Sequence, residues 1–176
     1  VPGAWHVMGV IQSAGLSLRW MRDELCAQER ELAKQEGLDP YEVMTREAMQ
    51  SPLGARGLIF LPYLMGERSP HLDPVAKGAF VGLTAVHTRR DMIRSVMEGV
   101  CHALHDSMEI IQEMGVPVTE VRAGGGGGRS ALWRQMQADM FGVPVKTVTA
   151  AEGPAPGVGG LAAGGAGDYD TAHTAF

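Results

Sequence analysis

The sequence predicts an α/β domain whose strands run parallel and are joined by crossover helices. From Thr119 onward, strand-like runs alternate with amphipathic helical patterns, the sequence signature of a parallel sheet. A turn rich in small residues stands where each of these strands hands over to a helix. With 176 residues, 45% apolar and 20% charged, the chain suits one globule with a substantial core, and global disorder is excluded.

Trp5 to Ile11 reads as a short strand, weakened by His6 and Gly9. From Ala14 the period turns helical, with Leu16, Trp20, Leu25 and Cys26 on one side and Arg19, Arg22 and Asp23 on another. This helix is expected to fade into a solvated face or loop at Gln28-Glu29-Arg30-Glu31. Asp39-Pro40-Tyr41-Glu42 is a helix start: Asp to cap, Pro at the first helical position, Glu three after the cap. That helix runs to about Met49, and Ser51-Pro52-Leu53-Gly54 ends it. Gly57 to Tyr63 is a continuous apolar run of strand length, expected to be buried on both faces. A turn-rich stretch from Gly66 to Pro74 leads to a second strand at Ala79 to Leu83. Thr88 and Asp91 form a capping box for the longest helix, whose Met92, Val96, Val100, Leu104, Met108 and Ile111 recur at helical spacing until Gly115. The remaining order is strand (119–122), glycine loop, helix (130–141), strand (143–148), glycine-proline turn and helix (156–166).

Composition narrows the function. A net charge of −5 with scattered basic residues, Arg89-Arg90 being the densest doublet, argues against a nucleic-acid surface. The longest apolar run, Leu58 to Met65, is interrupted by Pro62 and too short to span a bilayer, and the opening Val1-Pro2-Gly3-Ala4-Trp5 is not expected to act as a secretory leader. Cys26 and Cys101 lack metal or disulfide spacing and read as small core residues, which favours a cytoplasmic setting. Most of the eleven methionines read as core. Glu98, Asp106, Glu109 and Glu113 read mainly as the wet side of the long helix. Cys101, His102 and His105 lie within two turns but lack a fourth metal ligand, so a structural origin is favoured. His102 and Asp106 could pair along that helix. The absence of an initiator Met, with an end at Ala175-Phe176, is expected of a piece of a longer protein.

The sharpest local feature is Gly124-Gly125-Gly126-Gly127-Gly128-Arg129-Ser130, lodged between a strand and a helix. Glycines there let main chain approach a ligand, and the following helix start suits a phosphate. Ala123 and Arg129 rule out a Walker loop, and Arg129 also rules out the dinucleotide fingerprint. The run is either a ligand-binding turn of another class or a merely flexible connection. Ala151-Glu152-Gly153-Pro154-Ala155-Pro156-Gly157 and Ser13-Ala14-Gly15 also precede helices. The three turns could converge on one nucleotide or could be tight connections, and spacing alone leaves both open.

Gly78-Ala79-Phe80-Val81-Gly82-Leu83, followed after seven residues by Asp91-Met92-Ile93-Arg94-Ser95-Val96-Met97-Glu98, resembles the second signature of the FGGY carbohydrate kinases without departure. Phe60-Leu61-Pro62-Tyr63-Leu64-Met65-Gly66-Glu67-Arg68-Ser69-Pro70-His71 resembles the PYLxGERxPH segment of the xylulokinase branch. Trp5 to Val10 with Ser13 to Trp20 resembles the entry to the second domain of these enzymes. The glycine run with Leu132-Trp133-Arg134-Gln135 resembles their nucleotide loop and following helix.

The resemblance implies an actin-like, ribonuclease-H-like ATPase domain, residues 1–176, the second of two, with ATP and Mg²⁺ as cofactors. It implies that Gly125 and Gly126 meet the phosphate–ribose region, with Gly127 beside them among the cofactor-binding residues, that Ser130 or Arg129 sits by the base, and that Gly15 and Arg19 line the adenine pocket. The implied reaction of the complete enzyme is transfer of phosphate from ATP to D-xylulose, with gluconate, ribulose and glycerol as alternative sugars. A non-catalytic actin-like nucleotide-binding domain is the alternative of another class. The implied partners are sugar, ATP and the preceding domain, with a homodimer possible and neither nucleic acid nor membrane expected. The catalytic Asp is expected before Val1, so the 176-residue chain alone is expected to bind ATP weakly at best and not to turn over. The family's Glu-Gly-x-Ala-x-Gly-Ala-Ala turn reads here Glu152-Gly153-Pro154-Ala155-Pro156-Gly157-Val158-Gly159, and Gly159-Gly160 should weaken the last helix by about 1 kcal/mol each.

Overall fold

A 25-residue helix, α4 (Arg89–Glu113), is the axis of the molecule in the computed structural model, which describes residues 5–147 and 154–167. Its buried stripe includes Ile93, Val96, Met97, Val100 and Cys101. Packed against it are α1 (Ala14–Trp20), α3 (Pro40–Met49), β1 (Ile59–Leu61) and α6 (Ala131–Phe141). Helix α2 (Ala27–Glu36) lies on α3. β1 pairs antiparallel with β2 (Ala79–Val81), Phe60 opposite Phe80. β3 (Val121–Ala123) pairs parallel with β4 (Val145–Thr147), Val121 opposite Val145. The short helix α5 (Gly125–Arg129) and α6 form the crossover between them, as a parallel pair requires. Helix α7 (Pro154–Ala166) closes the order and forms despite Gly159 and Gly160.

Local chemistry explains the boundaries. Asp39 accepts a hydrogen bond from Tyr41 N at 2.9 Å, capping α3 with Pro40 at its first position. Thr88 and Asp91 form the expected capping box of α4, and Gly115, at φ +82°, lies just past its end. Gly99 is where β1 crosses α4: any Cβ there would fall on the Phe60 carbonyl oxygen.

One face of α4 also carries a buried polar cluster. Asp91 accepts from Thr88 N, Thr88 Oγ1 and Ser51 Oγ at 2.7–2.9 Å, with Arg56 Nε 3.4 Å away. Arg94, 4% exposed, donates to Glu98 and to the Ala48 and Ser51 carbonyls. Glu98 also accepts from Gly54 N at 3.1 Å. Together these groups hold Gly54, Ala55 and Arg56 in left-handed conformation, φ +75°, +46° and +58°, which costs the two non-glycine residues on the order of 1–2 kcal/mol each. The charged residues of the 91–98 segment thus fix the turn that delivers β1 to α4.

Several expectations change. Residues 5–11 form no strand, because no ladder partner lies beside them among the described residues; Ser69 N donates to Val10 O and Trp5 is exposed. Gln28–Glu31 is helix, not loop: Glu29 is buried and pairs with Arg89 of α4 at 2.7 Å, a tertiary partner that charge pattern alone does not reveal. β1 is buried on one face only, with Ile59 exposed beside Val81. Glu98 leaves the wet side for the cluster just described. Met21, Met44, Met97, Met108 and Met136 are core as expected, whereas Met8, Met49, Met65 and Met114 are exposed. Cys26 and Cys101 are buried, which pushes both thiols up to about 12. Asp106 approaches His71 Nε2 at 3.8 Å. Ala151, Glu152 and Gly153 of the second glycine turn, and Val148 at the expected strand end, lie outside the described residues.

Burial alone would raise Asp91, but its hydrogen bonds from Thr88 and Ser51, with Arg56 nearby, outweigh burial and hold it at about 2. A carboxylate depressed in the folded state contributes stability above its unfolded pKa, roughly 3.9, and loses it as pH falls through the folded value. Stability should therefore drop by about 2 kcal/mol between roughly pH 4 and pH 2 through this group. Denaturant titrations at stepped pH check this: Asp91→Asn should be destabilised at pH 7 and show a flatter acid limb.

Candidate functional site

The described residues enclose a cleft of about 890 Å³ between α1, α3 and the glycine turn. Gly15 and Arg19, one helical turn apart on α1, form one wall with Leu18. Gly126, Gly127, Arg129 and Ser130 line the same cleft, with Ala131, Leu132 and Trp133 of α6. Met97 of α4 also lines it. Two turns far apart in sequence therefore meet across one space. Gly125 is exposed but is not part of the cleft lining.

The glycines have separate reasons to be glycine. Gly125 stands at φ +65°, a left-handed conformation that opens the helical turn. Gly126 has no atom within 4 Å of an added Cβ and borders the cleft, so its main chain is bare toward that space. A Cβ on Gly127 would touch the Trp133 ring at 3.4 Å. One on Gly128 would meet the Ala123 carbonyl oxygen at 2.5 Å, so Gly128 serves the approach of the turn to β3. The run is a short helix rather than a loop, and Arg134 fastens its end by donating to the carbonyls of Gly128 (2.6 Å) and Arg129 (3.0 Å). Ser130 Oγ caps α6 by accepting from Trp133 N at 3.3 Å. Trp133 Nε1 donates to the Met97 carbonyl, with Cys101 Sγ also at 3.2 Å, seating α6 on α4.

The side of the cleft formed by α3 was not foreseen. Asp39, Tyr41, Glu42, Thr45, Arg46 and Met49 line it. The signal available was the Asp39-Pro40 start, which fixes the phase of α3 and hence the common face of Glu42, Thr45, Arg46 and Met49. On this side Arg46 pairs with Glu36 at 2.9 Å and Asp39 accepts from Tyr41 N, while Glu42 has no ion-pair partner among the described residues. Arg19 and Arg129 are exposed and have no ion-pair partner among the described residues. Bare main chain flanked by two unpaired guanidinium groups suits an anionic ligand. A smaller groove, about 300 Å³, lies between β1 and α4 and holds Glu98, His102 and Asp106. Among the described residues no three His, Cys, Asp or Glu converge to hold a metal ion, and no helix is long and apolar enough to cross a membrane.

The different reasons for the glycines separate by substitution. Gly125→Ala should cost on the order of 1–2 kcal/mol through its positive φ. Gly126→Ala, free of strain and obstruction, should be neutral or stabilising by up to about 1 kcal/mol. Thermal unfolding of the two variants in parallel measures the difference, and equal losses would contradict the assigned backbone roles.

With this geometry in view, comparison with known proteins is informative. Residues 1–166 match the FGGY family of carbohydrate kinases, C-terminal domain. The chain is 38% identical over 171 residues, 97% of its length and 32% of the relative's, to the xylulose kinase of Staphylococcus epidermidis. It is 45% identical over 138 residues, 78% of its length and 27% of the relative's, to the gluconokinase of Bacillus licheniformis. The crystal structure of a ligand-bound xylulose kinase from Lactobacillus acidophilus superposes with a TM-score of 0.76 at 32% identity, covering 94% of this chain and 32% of that one. The chain thus spans about a third of the length of the relatives it matches. The fold is the actin-like ATPase fold of the sugar kinases. Signature, architecture and profile agree, and the chain belongs to the FGGY family of carbohydrate kinases.

Proposed function

We propose that this chain is the nucleotide-binding C-terminal domain of a two-domain sugar kinase that transfers the γ-phosphoryl group of ATP to D-xylulose, giving D-xylulose 5-phosphate. The observation that carries the nucleotide part is the convergence of Gly126, Gly127, Arg129 and Ser130 with Gly15 and Arg19 on one cleft. Bare main chain at Gly126, with Gly127 beside it, takes the phosphate–ribose portion, Gly125 shapes their turn, and the guanidinium groups of Arg19 and Arg129 favour the nucleotide's negative charge. Mg²⁺ enters with the triphosphate as part of the substrate; the described residues supply no carboxylate cluster to hold it. The sugar assignment is supported by the xylulose kinase relatives.

Phosphoryl transfer depends on in-line positioning and on charge stabilisation around the γ-phosphate. The cleft residues of this domain cannot supply both, so the acidic base and the sugar contacts come from an accompanying N-terminal domain. Gluconate is the second reading, favoured by the higher identity to gluconokinase over the shorter stretch.

In ATP titrations, Gly126→Val should weaken binding at least roughly tenfold while leaving the fold intact, since a β-branched side chain there occupies the approach to the main chain. Unchanged affinity would return the glycine run to a flexible connection. A panel of D-xylulose, D-gluconate, D-ribulose and glycerol on the complete enzyme should give the highest kcat/KM with D-xylulose. The isolated 176-residue chain should produce no xylulose-dependent ADP, and steady turnover by it would refute the division of labour.

A further inference from the structure

The cleft has two aromatic side chains on its walls, and they are placed very differently. Trp133 is 7% exposed and its Nε1 is committed to α4, so it offers little surface to a ligand. Tyr41 is half-buried and reaches the cleft from α3. Its position is over-determined. Tyr41 N donates to Asp39 Oδ1 at 2.9 Å, and its carbonyl accepts from Thr45 Oγ1 at 2.7 Å. Arg22 Nη1 donates to its hydroxyl at 3.0 Å, and the Arg22 guanidinium covers one ring face at 4.9 Å from the centroid while the ring packs partly on the core, so a ligand would meet the other face. Arg22 is itself gripped by Asp23 through two hydrogen bonds of 2.7 and 2.9 Å.

The residues that hold Tyr41 come from an irregular turn. Met21–Leu25 is a π-helical turn continuing directly from α1, the helix that brings Gly15 and Arg19 to the cleft. Such widened turns are costly relative to α-helix and are found frequently at functional sites. Here the turn delivers Arg22 across to α3.

Resting on the nucleotide reading above, we infer that the ring of Tyr41 is the surface against which the nucleobase packs, with Arg22 and Asp23 as its positioning residues. With the phosphates at Gly126 and Gly127, which line the same cleft as Tyr41, the base extends toward α3. An aromatic ring fixed at both its backbone and its hydroxyl accepts a base with little ordering cost. Base–aromatic stacking tolerates any base, because each has a π-face, so this contact gives affinity rather than strong discrimination between ATP and GTP.

The test uses the 176-residue chain with ATP and inorganic tripolyphosphate as probes, read by saturation-transfer NMR and titration, with folding followed by thermal unfolding. Wild type should bind ATP more tightly than tripolyphosphate and should saturate the adenine H2 and H8 protons. Tyr41→Ala should lose roughly tenfold in ATP affinity and keep its tripolyphosphate affinity. Tyr41→Phe should stay within about threefold of wild type for ATP, because the ring remains. Arg22→Met should fall between the two. If Tyr41→Ala binds ATP like wild type while Gly126→Val does not, the inference fails and the nucleotide site stands. If Tyr41→Ala weakens both probes equally, or Tyr41→Phe falls as far as Tyr41→Ala, Tyr41 is structural and the inference fails. If wild type binds no ATP, both readings fail together.

Discussion

The seating of Trp133 in α4 is the contact on which the geometry of the cleft depends. Its indole N–H donates into the α4 backbone at Met97, its ring lies against Gly127, and its own backbone N–H is capped by Ser130. One side chain therefore ties α6, the glycine turn and the central helix together. Removing it would both create a cavity costing several kcal/mol and release the wall that faces α1 and α3. Gly128 is small because the Ala123 carbonyl leaves no room for a Cβ, whereas a Cβ on Gly127 would only touch the Trp133 ring, which makes Gly128 part of the scaffold.

The signature motif has a comparable structural role. Asp91, Arg94 and Glu98 lie on one face of α4 and are engaged with 48–56 and each other, away from the cleft lining. They support a left-handed turn, and that turn delivers β1 to Gly99. A buried, fully partnered set of polar groups specifies one arrangement of the elements around it, because any shift leaves a charge without its partner. The charged part of the segment that identifies the family is thus a folding device, and none of Asp91, Arg94 and Glu98 lines the cleft.

Much of the fold was legible because its signals are local. The Asp39-Pro40 start, the Thr88–Asp91 capping box, the Gly115 stop and the period of α4 each follow from a few neighbouring residues. The misreadings all needed a distant partner. Gln28–Glu31 becomes helix once Glu29 meets Arg89. Glu98 is drawn inward by Arg94 and Gly54. Residues 5–11 have strand-like side chains but no strand to pair with among those described. At the cleft, the glycine turn and Gly15 with Arg19 could be named separately from sequence. Their meeting, and the contribution of Tyr41 and Thr45, arise only from the packing of α1 and α3 on α4.

The most direct test of the central claim is amide chemical-shift mapping of the 176-residue chain during an ATP titration. The account predicts the largest shifts at Gly126, Gly127, Arg129 and Ser130 on one side and at Gly15, Arg19 and Tyr41 on the other. Shifts concentrated instead at Ile59–Tyr63 and at His102 and Asp106, along the groove between β1 and α4, would contradict it.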